Sequence, residues 1–135
     1  MIAIDTNVLV RFLTRDDPEQ AARVRALFAT LSAENPALVC REVVLELVWV
    51  LGYSYNFSRT EIAGALEGLL AAVELEVEDA DVVSSALRDY VSEAADFADL
   101  MILGATRKHG AAPLVTFDTR AARMSGVKLV DEPGP

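Results

Sequence analysis

The chain has 135 residues, of which 53% are apolar and only 7 are Gly and 5 are Pro, so we expect one domain over residues 1–135. That composition excludes both a disordered chain and a loop-rich disulfide scaffold. The formal net charge of −9 argues against nucleic-acid binding through a basic surface, because affinity for phosphate normally comes from Lys and Arg.

A single cysteine, Cys40, and a single histidine, His109, limit the available chemistry. They exclude an internal disulfide, a cysteine-based zinc site and catalysis by paired histidines. Cys40 follows an apolar run and is interpreted as a buried core thiol rather than a nucleophile. Any metal site in this chain must therefore be built from oxygen ligands.

The first nine residues contain Asp5 and no Lys or Arg, so they do not resemble a secretory signal peptide. No uncharged run reaches the roughly 18 apolar residues that a membrane span requires. We therefore expect a cytoplasmic protein that does not bind a membrane.

Short β-rich runs alternate with longer helical patterns, which is typical of an α/β domain with a mostly parallel sheet. The first half of the sequence predicts a strand over 2–5, helices over 7–13 and from 16–18 to about 31, and a strand over 37–40. A helix over 42–51 follows. The capping box Ser58-Arg59-Thr60-Glu61 then begins a helix that ends near Ala72.

The second half predicts a marginal strand over 74–77, helices over 80–91 and 97–109, a strand over 114–117, a short helix from 119 and a small strand over 128–130. We expect these elements to form a small twisted sheet of four to five strands, flanked by helices in three α/β/α layers. In such sheets, ligands gather at the carboxyl ends of the strands, where helix N-termini also point.

Two acids directly follow predicted strands. Asp5 and Asp118 should both reach the same edge of the sheet, although each could simply cap the helix that begins after it. Thr6 and Asn7 add polar groups beside Asp5. The two carboxylates are therefore candidates for one shared site.

Glu46 lies within the run 43–51, which is apolar on every side of the predicted helix. Because a helix that is apolar all round is usually buried, Glu46 is expected to be a buried carboxylate. Such a group requires a metal, a proton or a cation such as Arg11 or Arg41. Glu42, one turn earlier, is better explained as a solvated residue that the helix dipole favours.

Asp96 and Asp99 precede another apolar helix, and their spacing of three places them near one face at its N-terminus. Asp96 could be the N-cap and Asp99 the third helical residue, both satisfied by free backbone N–H groups. We favour Asp99 as a site residue and leave Asp96 open between the two roles.

These pieces, in this order, resemble the PIN-domain ribonucleases across nearly the whole chain, and especially the VapC toxins of toxin–antitoxin pairs. Any one piece alone would be weak, but the combination is specific. The matching segments are Ile4-Asp5-Thr6-Asn7-Val8-Leu9, Val44-Leu45-Glu46-Leu47-Val48-Trp49-Val50-Leu51, Asp96-Phe97-Ala98-Asp99 and Thr116-Phe117-Asp118.

The resemblance implies that Asp5, Glu46, Asp99 and Asp118 are the catalytic acids and that the cofactor is Mg²⁺ or Mn²⁺, which prefer oxygen ligands. Asp5 and Asp99 would be the primary metal ligands. Glu46 and Asp118 would orient water or a second ion, and Asp96 would share or support the metal.

Other residues would support this site. Thr6, Asn7 and Thr116 would donate hydrogen bonds to water or to a ligating carboxylate. Candidates for contact with the RNA backbone are Arg11, Arg41, Arg120 and Arg123. The resemblance further implies in-line hydrolysis of RNA to a 5′-phosphate and a 3′-hydroxyl, a homodimer, and a VapB-like antitoxin protein that covers the site.

Three other functions stay open. A phosphoacceptor signalling domain also uses an acidic Mg²⁺ site, but it needs an active-site lysine, and neither Lys108 nor Lys128 follows a buried strand suitably. A catalytically silent binding module and a DNA nuclease with the same metal chemistry are the other two. The choice of RNA over DNA rests on the resemblance.

Overall fold

The computed structural model describes residues 1–130, and the chain divides into two compact units, Met1–Ala80 and the residues from Asp81 onward. The elements of the first unit are α1 (Thr6–Thr14), α2 (Pro18–Phe28), β1 (Ala37–Val39), α3 (Arg41–Tyr55), α4 (Arg59–Ala71) and β2 (Leu75–Val77). Helix α5 (Ala80–Ser92) begins at the boundary. It is followed by α6 (Phe97–Lys108), β3 (Leu114–Thr116), a 3₁₀ helix (Ala121–Arg123) and β4 (Val127–Leu129).

Strand β1 is the centre of the first unit. It pairs in parallel with β2, with Ala37 opposite Leu75 and Val39 opposite Val77. On its other side it binds the N-terminal segment, because the amide of Ile4 donates to the carbonyl of Leu38 at 3.1 Å. Ala37 and Val39 are fully buried, which explains why so short a strand is entirely apolar.

The helices of the first unit begin where these parallel segments end. Helix α1 starts directly after the N-terminal segment, and α3 starts directly after β1. Helix α1 packs against α2 and α3, α3 packs against α4, and α4 packs against β2. The N-termini of α1 and α3 therefore lie at the edge of the sheet where the carboxyl ends of the strands are found.

Helix α3 buries one face rather than its whole circumference. Val44, Leu47 and Leu51, at a spacing of three and four, are at most 1% exposed. The helix continues four residues beyond the predicted end at Leu51, because Asn56 adopts the left-handed conformation that ends it, with φ of 55°. The prediction had stopped before Gly52.

The second unit packs α5 closely against α6. A Cβ on Gly104 would lie 2.9 Å from the Cγ1 atom of Val82, so only glycine permits this approach. Tyr90 meets Phe97 edge to face, with ring centroids 5.6 Å apart. Beyond α6, strands β3 and β4 pair in parallel across a connection that contains the 3₁₀ helix.

The predicted α/β class with parallel pairing is confirmed, but the strands are arranged differently from the single sheet expected. In residues 1–130, the four strands form two separate parallel pairs, β1 with β2 and β3 with β4. The predicted first strand is a single parallel bridge between Ala3 and Leu38.

Most other bounds differ from the prediction by three residues or fewer. Helix α2 ends at Phe28 instead of near Leu31, and the short helix expected from Thr119 is the 3₁₀ helix. None of the helices in this part of the chain is both long and apolar enough to cross a membrane. Residues 131–135 of the predicted domain lie outside the described residues.

The buried face of α3 yields a stability prediction. Leu47 is fully buried, whereas Leu45 in the same helix is only partly buried. We expect Leu47→Ala to lower the free energy of unfolding by about 2–5 kcal/mol, because it leaves a cavity, and Leu45→Ala to cost clearly less. Urea denaturation of both variants measures the difference. Equal losses would show that α3 does not pack on this face.

Candidate active site

Asp5 ends the N-terminal segment and is the residue before α1. Its exposed carboxylate accepts a hydrogen bond from the amide of Thr6 at 2.7 Å. An ordinary N-cap bonds to an amide one or two residues further along, so the Asp5 carboxylate is not in the usual capping position. The Asp5 side chain therefore lies at the N-terminus of α1 but does not make the usual capping hydrogen bond.

The Thr6 side chain is an anomaly beside Asp5. Thr6 is only 4% exposed, and within residues 1–130 its hydroxyl oxygen has no hydrogen-bond partner. A buried hydroxyl without a partner costs about 1–3 kcal/mol, so its retention suggests a binding role. The Asp5 carboxylate and the Thr6 hydroxyl both offer oxygen atoms, which a hydrated cation prefers, and a hydrogen bond from Thr6 to water or to a ligating carboxylate stays a prediction.

The prediction that Glu46 is buried is wrong. Glu46 lies on the side of α3 opposite the buried face and is exposed, and Trp49, three residues later, is 61% exposed. The prediction takes apolar side chains such as Trp49 to be buried. In the structure, only one face of α3 is packed, so Trp49 is exposed. Glu46 therefore needs no cation to compensate for burial, and it stays accessible to a ligand from solvent.

Arg11 and Arg41, the two arginines proposed as partners for Glu46, form their ion pairs with other acids. Arg11 donates to Asp16 at 3.1 Å and to the hydroxyl of Tyr55 at 3.1 Å, which ties α1 to the end of α3. Arg41 forms an ion pair of 3.0 Å with Asp79, close after β2. Each guanidinium therefore has part of its donor capacity engaged in an internal contact.

Asp96 and Asp99 occupy the positions in α6 that their spacing predicts. Asp96 is the N-cap, and its carboxylate accepts from the amide of Asp99 at 3.2 Å. Asp99 lies in the first turn and is partly buried. The capping role of Asp96 is thus confirmed, and its second carboxylate oxygen is left available for another ligand.

Asp118 follows β3 and bonds to the chain after it. Its carboxylate accepts from the amides of Arg120 at 2.8 Å and Ala121 at 3.2 Å, so it caps the turn that leads into the 3₁₀ helix. The hydroxyl of Thr116 accepts from the amide of Asp118 at 3.0 Å. Thr116 therefore holds the backbone of Asp118, whereas the sequence had suggested a bond to a carboxylate or to water.

The three acids of the second unit interact through their charges. Partial burial, and then the negative charges of Asp96 and Asp118, raise the pKa of the Asp99 carboxyl above its ordinary value. In the part of the chain that the structure describes, no three acidic, histidine or cysteine side chains converge closely enough to hold a metal ion. The carboxylate oxygens of these acids are nevertheless of the kind that a divalent cation prefers, and such an ion would relieve this repulsion.

The predicted acids are thus divided between the units. Asp5 and Glu46 lie in the first unit, and Asp96, Asp99 and Asp118 lie in the second. Glu42 is exposed in the first turn of α3, in agreement with its interpretation as a solvated residue. Asn7 is also exposed, and it lines an open groove of about 500 Å³ between α1 and α2.

One surface feature was missed. Trp49 and Tyr53 follow Glu46 by three and seven residues, so the three side chains lie on one stripe of α3. Both rings are exposed and stack on each other with centroids 4.8 Å apart. The spacing was visible in the sequence, but it was interpreted as part of a buried helix.

Comparison with known proteins identifies the family of the chain. The sequence matches the PIN domain family over residues 2–127, a range that includes all five acids. It is also similar to a VapC ribonuclease from Aquifex aeolicus, with 29% identity over 132 residues that cover 97% of this chain and 96% of the relative. Because the family match covers almost the whole chain, we conclude that this protein belongs to the PIN domain family.

Proposed function

We propose that the chain is a Mg²⁺- or Mn²⁺-dependent endoribonuclease with Asp5, Glu46, Asp99 and Asp118 as its catalytic acids. The observation that carries this proposal is the state of Asp99 in the first turn of α6, where partial burial and then the charges of Asp96 and Asp118 raise the pKa of its carboxyl. The likeness to a VapC ribonuclease supports RNA as the substrate.

The side chains of this site have separate tasks in the proposed reaction. Asp5 and Asp99 would be the primary metal ligands, and Glu46 and Asp118 would orient water and accept its proton. Asp96 and Thr116 position the other groups, since one caps α6 and the other fixes the backbone of Asp118. A bound divalent cation would supply charge neutralisation at the scissile phosphate and a lower pKa for water.

The RNA backbone needs cations that internal ion pairs do not occupy. Arg23 lines the open groove between α1 and α2 together with Asn7, which lies two residues after Asp5. Arg120 and Arg123 are exposed beside Asp118 in the sequence. These three arginines, rather than Arg11 and Arg41, are the candidates for phosphate contacts.

The partners expected from the resemblance belong to this proposal. The likeness to a VapC ribonuclease supports a role as the toxin of a toxin–antitoxin pair, with a VapB-like antitoxin as the protein partner. A homodimer and a cytoplasmic location are part of the same hypothesis. An antitoxin that supplies an arginine to the acidic site would neutralise the same charges as the cation.

Cleavage of RNA tests the proposed function. Purified protein, free of any inhibitor, should cut a pool of labelled cellular RNAs at selected positions in Mg²⁺ or Mn²⁺, and EDTA should abolish the cuts. We expect Asp5→Asn and Asp99→Asn to lower the rate by about a hundredfold or more, because several kcal/mol of transition-state stabilisation are lost. The RNA fragments should carry 5′-phosphates.

A matched pair of glutamates controls this experiment. Glu46 and Glu67 are both exposed residues within long helices, α3 and α4. Glu46→Gln should reduce cleavage strongly, and Glu67→Gln should leave it unchanged. Well-folded protein that binds Mg²⁺ and cuts no RNA would contradict the proposal and favour a catalytically silent binding module.

The raised pKa of Asp99 also makes a stability prediction. Because this pKa is raised in the folded protein, the contribution of Asp99 to stability is greatest below the ordinary pKa of 3.8 and is lost as the pH rises through the raised value. At neutral pH without metal, Asp99→Asn should therefore raise the melting temperature. Mg²⁺ should stabilise the unmutated protein more than it stabilises this variant.

Asp89 provides the control for that measurement, since it is a partly buried acid in the same unit and is not among the charges that raise the pKa of Asp99. Asp89→Asn should leave the Mg²⁺-dependent rise in melting temperature intact. If Mg²⁺ stabilised all three proteins equally by calorimetry, the ion would not be bound at Asp99.

A further inference from the structure

The first unit contains an apolar pocket that none of the candidate catalytic acids lines. Its volume is about 160 Å³, and its walls come from α1, the end of α2, α4 and the start of β2. Every residue that lines it is Gly, Ala, Leu or Phe, except Glu74. We call this space, which lies between Phe12, Gly68 and Leu75, the α4 pocket.

The α4 pocket extends from the surface into the core of the first unit. Leu9 and Leu69, which line it, are 1% and 6% exposed. The rings of Phe12 and Phe28, which line it as well, contact each other with centroids 4.7 Å apart and planes inclined at 45°. An engineered apolar cavity of about 150 Å³ stays free of water and binds benzene. The α4 pocket therefore has the size and the polarity that one apolar ring would fill.

Two glycines keep the mouth of this pocket open. Gly64 and Gly68 are one turn apart in α4, line the pocket and are both exposed. A Cβ atom at either position would meet nothing within 4 Å beyond the adjacent backbone of the helix. Glycine inside a helix is less favourable than alanine, and here neither a turn nor a close contact requires it. The chain therefore leaves this space unfilled at a cost in helix stability.

We propose that the α4 pocket binds a small uncharged molecule that carries one apolar ring. The lining side chains offer hydrogen-bonding atoms only at Glu74, so most polar groups of a ligand would lose their bonds to water without replacement. The carboxylate of Glu74 also repels an anion. Both properties exclude a phosphate group from the pocket, and both favour a neutral ligand.

The surface around the pocket is unlike the centre of a protein interface. Among residues 1–130, the large apolar side chains that are exposed include none from α1, α2 or α4. Glu61 and Glu67, three residues to either side of Gly64, are exposed instead. Because charged residues are depleted at the centre of protein interfaces, a second protein on this face would cover unfavourable groups. A small molecule inside the pocket leaves both carboxylates in water.

Toluene is a suitable probe of the α4 pocket, because it consists of one uncharged apolar ring. In an NMR titration, toluene should shift the methyl signals of Leu9 and Leu69 until they saturate. At a toluene concentration of about ten times Kd, calorimetry should show a melting temperature raised by about 4 °C. Benzoate has the same ring and a negative charge, and at equal concentration it should produce neither effect.

A variant that fills the pocket tests whether toluene binds there. In Gly68→Leu, the new side chain begins at the mouth of the pocket, where a Cβ meets nothing, and leucine favours a helix. We expect this variant to melt at a higher temperature than the unmutated protein and to bind toluene at least about tenfold more weakly.

Gly52→Ala is the matched control. Gly52 lies within α3 and does not line the pocket, and its Cβ would make an ordinary contact of 3.5 Å with the Cδ1 atom of Ile62. This variant should bind toluene with unchanged affinity.

The contrary outcomes do not involve cleavage of RNA, so they are independent of the proposed function. If toluene shifts no methyl signal of Leu9 or Leu69, the pocket is not open in solution and the inference is wrong. Equal toluene affinity in Gly68→Leu and the unmutated protein would place the binding elsewhere, such as on the exposed rings of α3, and would also contradict it. A dimer that excludes toluene, and that Gly68→Leu abolishes by sedimentation, would assign the pocket to a second copy of the chain.

Discussion

The parallel pairing of very short strands determines how the first unit is organised. The backbone bonds of β1 to β2 and to the N-terminal segment align three carboxyl ends at one edge. Helices α1 and α3 must then begin at that edge, because each follows its strand without a loop. Asp5 is consequently located where unsatisfied backbone N–H groups and the positive end of a helix dipole are found, a setting that stabilises a carboxylate.

The same acids serve folding and the candidate chemistry, and the two roles are compatible. Asp96 and Asp118 each use a carboxylate oxygen to satisfy amides at the start of a helix or turn. A carboxylate has two oxygens and several lone pairs, so a structural hydrogen bond leaves capacity for a cation. One such acid can therefore be a helix cap and a metal ligand at the same time.

Asp99 differs from these acids because the fold disfavours its charge. It is partly buried, and the neighbouring carboxylates raise its pKa. Sites that bind a cation commonly retain such destabilising interactions, since the free energy is recovered when the ion binds. The exposed aromatic pair on α3 is a second feature that folding alone does not explain, because apolar rings of that size are usually buried.

The sequence by itself determined the α/β class, the helix starts and the positions of the acids, because these depend on local chemistry: the capping box at Ser58, the N-cap Asp96 and the apolar periodicity of each helix. It could not determine which side of α3 is covered, since apolar residues occur all round that helix. Tertiary packing alone decided that Glu46 and Trp49 face solvent and that Arg11 binds Asp16 and Tyr55. Burial and ion pairing depend on which surfaces meet, and that information is distributed over residues far apart in the chain.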